Sequence, residues 1–220
     1  MRTAQGLLLL IGTLLLTACE QSSYDEGTGE LSLTQADFVE AFTDNHGATY
    51  KVVVDDGEEM MLTAPVTRKG IQRPDTTYRA ILYYNKTSAL QAEAVSWSAV
   101  PTIVPTPLSE VKEMKTDPIS FESLWMSCAG KYLNLGCYLK VGDTQGEQQK
   151  HTLGVVLTHK QRNDDGSSTA YLTLYHDQGG VPAYYSSKFY ISIICSSLNC
   201  DSVCLTLPTF QGELVKRVKR

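Results

Sequence analysis

Four histidines, six cysteines and two Asp-Asp-Gly runs carry most of the reactive groups in this chain of 220 residues. Hydrolysis would need a nucleophile, a base and a group orienting that base, gathered within hydrogen-bond reach. His46 sits in a turn, His151 opens a predicted strand, and His159 and His176 close predicted strands, so one end of a strand-built body could collect two of them. No Gly-x-Ser-x-Gly elbow, His-Glu-x-x-His pair or glycine-rich phosphate loop accompanies them. Solvated histidines at strand ends are the plainer reading. Asp55-Asp56-Gly57 and Asp164-Asp165-Gly166 have oxygen ligands for calcium, but Asp-Gly is first a turn former and neither run continues the spaced oxygens of an EF-hand loop. Cys195, Cys200 and Cys204 lack the two close pairs that structural zinc favours. The expectation is a chain with no catalytic residue, no metal and no cofactor. Aromatic side chains offer the better surface. Tyr83, Tyr84 and Trp97 fall on neighbouring predicted strands, and Tyr184-Tyr185 follows Gly179-Gly180 in a loop, although neighbouring aromatics in a small barrel more often fill its interior.

The elements that must position these residues are strands. Helical signals are scarce, and turn signals recur between runs rich in Val, Ile, Tyr and Thr, the pattern of an all-β protein. Residues 36–45 fit a short helix or a strand; the strand is favoured because residues 49–54 then complete a hairpin across Asp44-Asn45-His46-Gly47. Residues 59–63, 78–84 and 92–98 add three more strands, a set that suits a small closed barrel of OB type over residues 34–114. Pro101, Pro105 and Pro107 disqualify residues 100–107 as a central strand. Lys115-Thr116-Asp117-Pro118 reads as the boundary. Beyond it, alternating runs at 119–127, 132–141, 151–160, 169–176, 188–196, 202–207 and 210–218 predict a β-sandwich over residues 115–220.

The front of the chain reads as an address. Arg2, an apolar core over residues 7–16 and the small residues Thr17 and Ala18 stand in signal-peptide order, and the apolar run is about ten residues where a membrane span needs about twenty. Leu16-Thr17-Ala18-Cys19 resembles a bacterial lipobox, which predicts a signal peptide over residues 1–18 and lipid attachment, with palmitate-type acyl chains, at Cys19. Residues 19–33 follow as a polar, acidic, flexible tether. Its Asp25 and Glu26 loosely match the surface-export signals of Bacteroides-type lipoproteins, so the expected location is the outer membrane, on its periplasmic face or at the cell surface. Removing the signal takes away only Arg2 and leaves an acidic chain. That balance excludes nucleic acid as a partner, because phosphate binding needs clustered cations. Lys216, Arg217, Lys219 and Arg220 form the one basic cluster, and an edge strand kept soluble by Lys and Arg accounts for it.

Five cysteines remain after Cys19, an odd number. Alternation puts Cys137 in register with Leu133, Leu135 and Leu139, and Cys195 with Ile191 and Ile193, so both thiols should face a core as small hydrophobes. Cys128, Cys200 and Cys204 fall near predicted turns or on the other strand face.

Several short runs together resemble NigD-like lipoproteins: Val54-Asp55-Asp56-Gly57, Tyr78 to Tyr84, Asp117-Pro118-Ile119, Lys131 to Leu135 and Leu174-Tyr175-His176, behind the lipobox. The resemblance implies an OB-type amino-terminal barrel followed by a carboxy-terminal β-sandwich, which agrees with the strand count. The lipid signal joined to strand-rich domains without a catalytic set predicts a lipid-anchored, non-enzymatic envelope lipoprotein that meets an envelope protein, a peptide toxin or a glycan. Bacteriocin immunity, by capture or exclusion of an antibacterial peptide, is the alternative, and an envelope hydrolase or thiol-redox protein is a more distant one. The cysteines depart from the family pattern.

Overall fold

A computed structural model of the protein describes residues 33–67, 73–143 and 149–220. The signal segment, Cys19 and nearly all of the tether lie outside the described residues. The chain is all-β, with a closed five-stranded barrel ahead of two further sheets.

Strand β1 (Gln35–Thr43) settles the one ambiguous stretch. It pairs antiparallel with β2 (Thr49–Val54) on one side and with β4 (Thr77–Ser88) on the other, so its Val39 and Ala41 alternate into a core that a helix could not share. The connecting turn is made by Asp44, whose carboxylate accepts the backbone N–H groups of His46 and Ala48 at 2.8 and 2.9 Å. Gly47 occupies the left-handed φ of +79° that the turn requires. With β3 (Glu59–Val66) and β5 (Gln91–Ala99) the order is β1-β2-β3-β5-β4, β4 closing on β1 and β3 running parallel to β5. The interior holds Val39, Ala41, Val52, Met60, Leu62, Ala80, Leu82 and Tyr84.

Two short strands precede Lys115–Pro118 in the chain. Strands β6 (Thr102–Ile103) and β7 (Thr106–Pro107) pair not with the barrel but with the two later sheets. Prolines bar a central position, but an edge strand needs only one side of its backbone, and the Pro101 carbonyl still accepts the Ser192 N–H at 3.0 Å. One sheet has the order β6-β12-β9-β8, built from β8 (Ser120–Met126), β9 (Tyr132–Val141) and β12 (Tyr185–Ile194). The other has the order β14-β13-β11-β10-β7, built from β10 (Thr152–Arg162), β11 (Ser168–Asp177), β13 (Ser202–Thr209) and β14 (Gly212–Lys219). Leu133, Leu135, Leu139, Leu172, Leu174, Ile191, Ile193 and Leu205 interlock between the sheets, all 2 % exposed or less. Burying each such side chain contributes about 1.5–3 kcal/mol. The basic cluster lies on or just beyond β14, an outer strand of its sheet.

Cys137 and Cys195 face this core, and burial pushes their thiols up to about 12 and about 11. At neutral pH neither presents a thiolate to react. Cys200 and Cys204 are buried as well, Cys128 is exposed, and none of the five is bridged.

Candidate functional site

The densest polar cluster joins the barrel to the sandwich. Ala80, Leu82 and Tyr84 of β4 point into the barrel, so Arg79, of opposite parity, points out of it toward β9 and β12. Its Nη2 donates to Asp55 Oδ2 at 2.6 Å and to Asn134 Oδ1 at 3.1 Å, and its Nε donates to Ser192 Oγ at 3.1 Å. Asn134 Nδ2 donates to the same Asp55 oxygen, and the Ser192 hydroxyl donates to Asn134 Oδ1. The guanidinium lies 4.3 Å from the Tyr132 ring centroid and 5.3 Å from that of Phe38. Both lie in the range of cation–π attraction.

Around it, Phe38 meets Trp125 and Tyr190 edge to face at 5.0 and 5.4 Å, and Glu40 accepts from Lys131 and from the Tyr132 hydroxyl. Burial opposes ionisation of Glu40, but the hydrogen bonds from Lys131 and Tyr132 outweigh it and hold the carboxyl below its ordinary range. Every carboxylate here is tied to a partner within the chain, so the cluster fixes geometry. Arg79, Asn134 and Ser192 escape sequence reasoning because Asn134 and Ser192 alternate away from the sandwich core and read as solvent-facing. What covers them is the barrel.

The histidines divide. His46 is exposed in its turn, and His159 stacks on Tyr171 at 4.3 Å. His151 and His176 meet at 2.9 Å between Nδ1 and Nε2, and His176 Nδ1 lies 2.8 Å from the Asp117 carbonyl oxygen. A carbonyl only accepts, so His176 carries its proton on Nδ1 and its Nε2 accepts from His151. His176 is therefore no solvated strand end: it is fully buried, because residues 115–117 fold over the end of β11. Among the described residues no group of three or more His, Cys, Asp and Glu side chains gathers to hold a metal ion.

Burial, then the neighbouring His176, lowers the pKa of His151; the Lys140 backbone and Asp117 oppose this. A histidine whose folded pKa lies below its unfolded value of about 6.5 contributes stability at neutral pH, and that contribution is lost as pH falls through the interval between the two values. The urea midpoint should therefore drop between about pH 7 and pH 5, and His151→Gln should flatten part of that slope.

The aromatic candidates do not form one surface. Tyr84 points into the barrel, 2 % exposed, with its hydroxyl donating to Asp37 at 3.0 Å, and Trp97 packs against the same core. Tyr83, of opposite parity, is exposed on the barrel wall, and Tyr184 and Tyr185 are exposed at the start of β12. A separate open groove of about 370 Å³ runs beside β10, with Gly154, Val156 and Tyr175 among its lining residues and Val111, Lys112 and Glu113 contributed by the segment after β7. A Cβ on Gly154 would have the Tyr175 side chain as its nearest neighbour, at an ordinary 3.5 Å. Glycine thus leaves the groove wider than any other residue would.

Comparison with known proteins follows the same lines as this geometry. The profile of the NigD-like C-terminal beta sandwich domain matches residues 102–213. Among curated proteins none matches. A NigD-like immunity protein from Bacteroides caccae ATCC 43185 superposes with a TM-score of 0.62 at 20% identity, over 84% of this chain and 91% of that one. A protein from Parabacteroides distasonis ATCC 8503, provisionally described as toxin related, gives 0.65 at 16% identity, over 85% and 93%. A provisionally described lipoprotein from Bacteroides fragilis NCTC 9343 gives 0.59 at 13% identity, over 84% and 97%. At these identities the likeness establishes the arrangement of strands.

Proposed function

The chain belongs to the NigD-like family, and from that premise we propose that it is a non-enzymatic lipoprotein, anchored to the outer membrane through Cys19, that binds an envelope partner. The observation that carries the binding half is the groove beside β10. Its walls include Val111, Val156 and the Tyr175 ring, and Lys112 and Glu113 supply one charge of each sign. An extended stretch of an envelope protein fits that mixture best, since β-strand backbone beside apolar walls is a recurring way of holding peptides. The Arg79 cluster supports the same reading by fixing the barrel against the sandwich, so that the groove is presented by a body already shaped for it. The address half is supported by the Leu16–Cys19 motif in the sequence and by the lipoprotein from Bacteroides fragilis among its structural relatives.

Capture from solubilised cell envelopes tests the binding reading. The wild-type chain should enrich a defined protein, and Gly154→Val, which fills the groove with a residue that strands favour, should reduce recovery about tenfold while its unfolding midpoint stays close to wild type. Equal recovery by both forms, or enrichment of glycan in place of protein, defeats it.

A second reading follows from the relative described as an immunity protein: the groove holds a secreted antibacterial peptide. Deletion of the gene should then sensitise the producing cell to toxin-secreting kin.

A further inference from the structure

Strand β12 leaves part of a sheet edge open. Its partner on the outer side, β6, spans two residues and pairs only with Ser192 and Ile193. The segment from Tyr185 to Tyr190 has no strand against that side among the described residues. On its inner side β12 pairs with β9 without a bulge from Tyr185 to Ile194. Backbone direction therefore alternates regularly along it. Ser192 sends its N–H outward to Pro101, so Tyr190, Lys188 and Ser186 send theirs outward too, while Phe189, Ser187 and Tyr185 bond to β9. Ser186 and Lys188 are exposed along this edge, with Tyr185 59 % and Phe189 37 % exposed beside them. A row of open donors and acceptors flanked by aromatic rings is a template for another strand.

We propose that this edge pairs with the same edge of a second copy of the chain, antiparallel about a two-fold axis at Ser187. In that register Ser186 lies opposite Lys188 of the other copy, and the converse, and each pair exchanges two backbone hydrogen bonds. Tyr185 lies opposite Phe189 in the closer, non-hydrogen-bonded spacing, where aromatic pairs stabilise a sheet. The neighbouring register, centred on Lys188, would set Phe189 opposite Ser187 and lose the pairing of Phe189 with Tyr185, which disfavours it. An edge lysine ordinarily guards against such pairing. Here Glu122 holds the Lys188 ammonium at 2.6 Å on the sheet face, so its charge does not stand in the way. Beyond Tyr185 the chain turns inward, Tyr184 donating to the Val141 carbonyl at 3.1 Å, which takes the incoming segment away from β6. The result is one sheet continuous through two copies. The pairing is isologous, so it closes at the dimer and does not propagate. It depends on neither the groove nor the lipid.

Cysteine cross-linking of the full chain in the cells that make it, read in both soluble and membrane fractions, tests the register, in a Cys128→Ser background that removes the exposed native thiol. Ser187→Cys puts two thiols directly opposite each other at a spacing a disulfide accepts, whereas the two copies of Ser186→Cys stand more than about 7 Å apart. With a mild oxidant, Ser187→Cys should yield a covalent dimer about tenfold above Ser186→Cys. Adding Ser186→Pro, which removes one outward N–H at a position an edge strand tolerates, should bring that yield down to the Ser186→Cys level. Equal yields at the two positions, no dimer at either, or an adduct of Ser187→Cys with a different protein would each overturn the proposal. If Ser186→Pro fails to fold, the contrast between positions 187 and 186 still decides.

Discussion

Arg79→Met is expected to lower the free energy of unfolding by about 3–5 kcal/mol, the cost of removing one member of a buried, hydrogen-bonded charge pair. Arg79 is 5 % exposed, and its loss leaves the Asp55 carboxylate with Asn134 as its remaining side-chain donor. It also takes donors away from Asn134 Oδ1 and Ser192 Oγ. Methionine fills much of the volume between Tyr132 and Phe38, so the loss is chiefly electrostatic. Arg79→Lys should recover little, because an ammonium cannot span Asp55, Asn134 and Ser192 from one planar fork. The contrast is Lys86→Met, which breaks the more exposed Lys86–Glu58 pair and should cost less than about 1 kcal/mol. Urea unfolding of the three variants, compared at constant slope, measures all of this. A midpoint for Arg79→Met within error of Lys86→Met would remove the cluster from any role in joining the two halves.

Cys19→Ser is expected to have the largest effect on location. Membrane attachment through acyl chains gains about 0.8 kcal/mol per buried methylene, and one chain alone holds a protein only marginally and reversibly, so stable anchoring takes at least two. Serine has no thiol to receive them. Metabolic labelling with palmitate should fall from clear incorporation to background, and the unprocessed precursor should accumulate in place of the mature chain. A Cys19→Ser form that still loses its signal and remains with the membrane would show that the lipid is not what holds the protein there.

Much of this fold was legible because alternation is a local property. Cys137 and Cys195 were placed by the parity of their own strands, and both lie in the core. The strand that follows residues 36–45 favours a strand over a helix there, and β1 pairs on both sides. What could not be read was the second face of β9 and β12. Asn134 and Ser192 are polar residues at positions that alternation assigns to solvent, and only the approach of Phe38 and Arg79 from two strands of the barrel makes those positions interior. The same limit applies to His176, which reads as a strand end until residues 115–117 cover it. The proline-rich stretch resisted for a different reason. Proline rules out a central strand but does not say which sheet's edge will accept one, and β6 and β7 went to two different sheets.

Strand β9 has one face in the sandwich core and the other against the barrel, and its first six residues are all buried. It acts as a party wall, and neither room can be demolished without opening the other to the weather. A gene fragment ending before β8 would leave Phe38 and the Arg79 guanidinium bare, and one starting at β6 would expose Trp125, Asn134 and Tyr190. Recombination between relatives should therefore tolerate crossovers in the surface turns of either half far better than a clean exchange of one half for another.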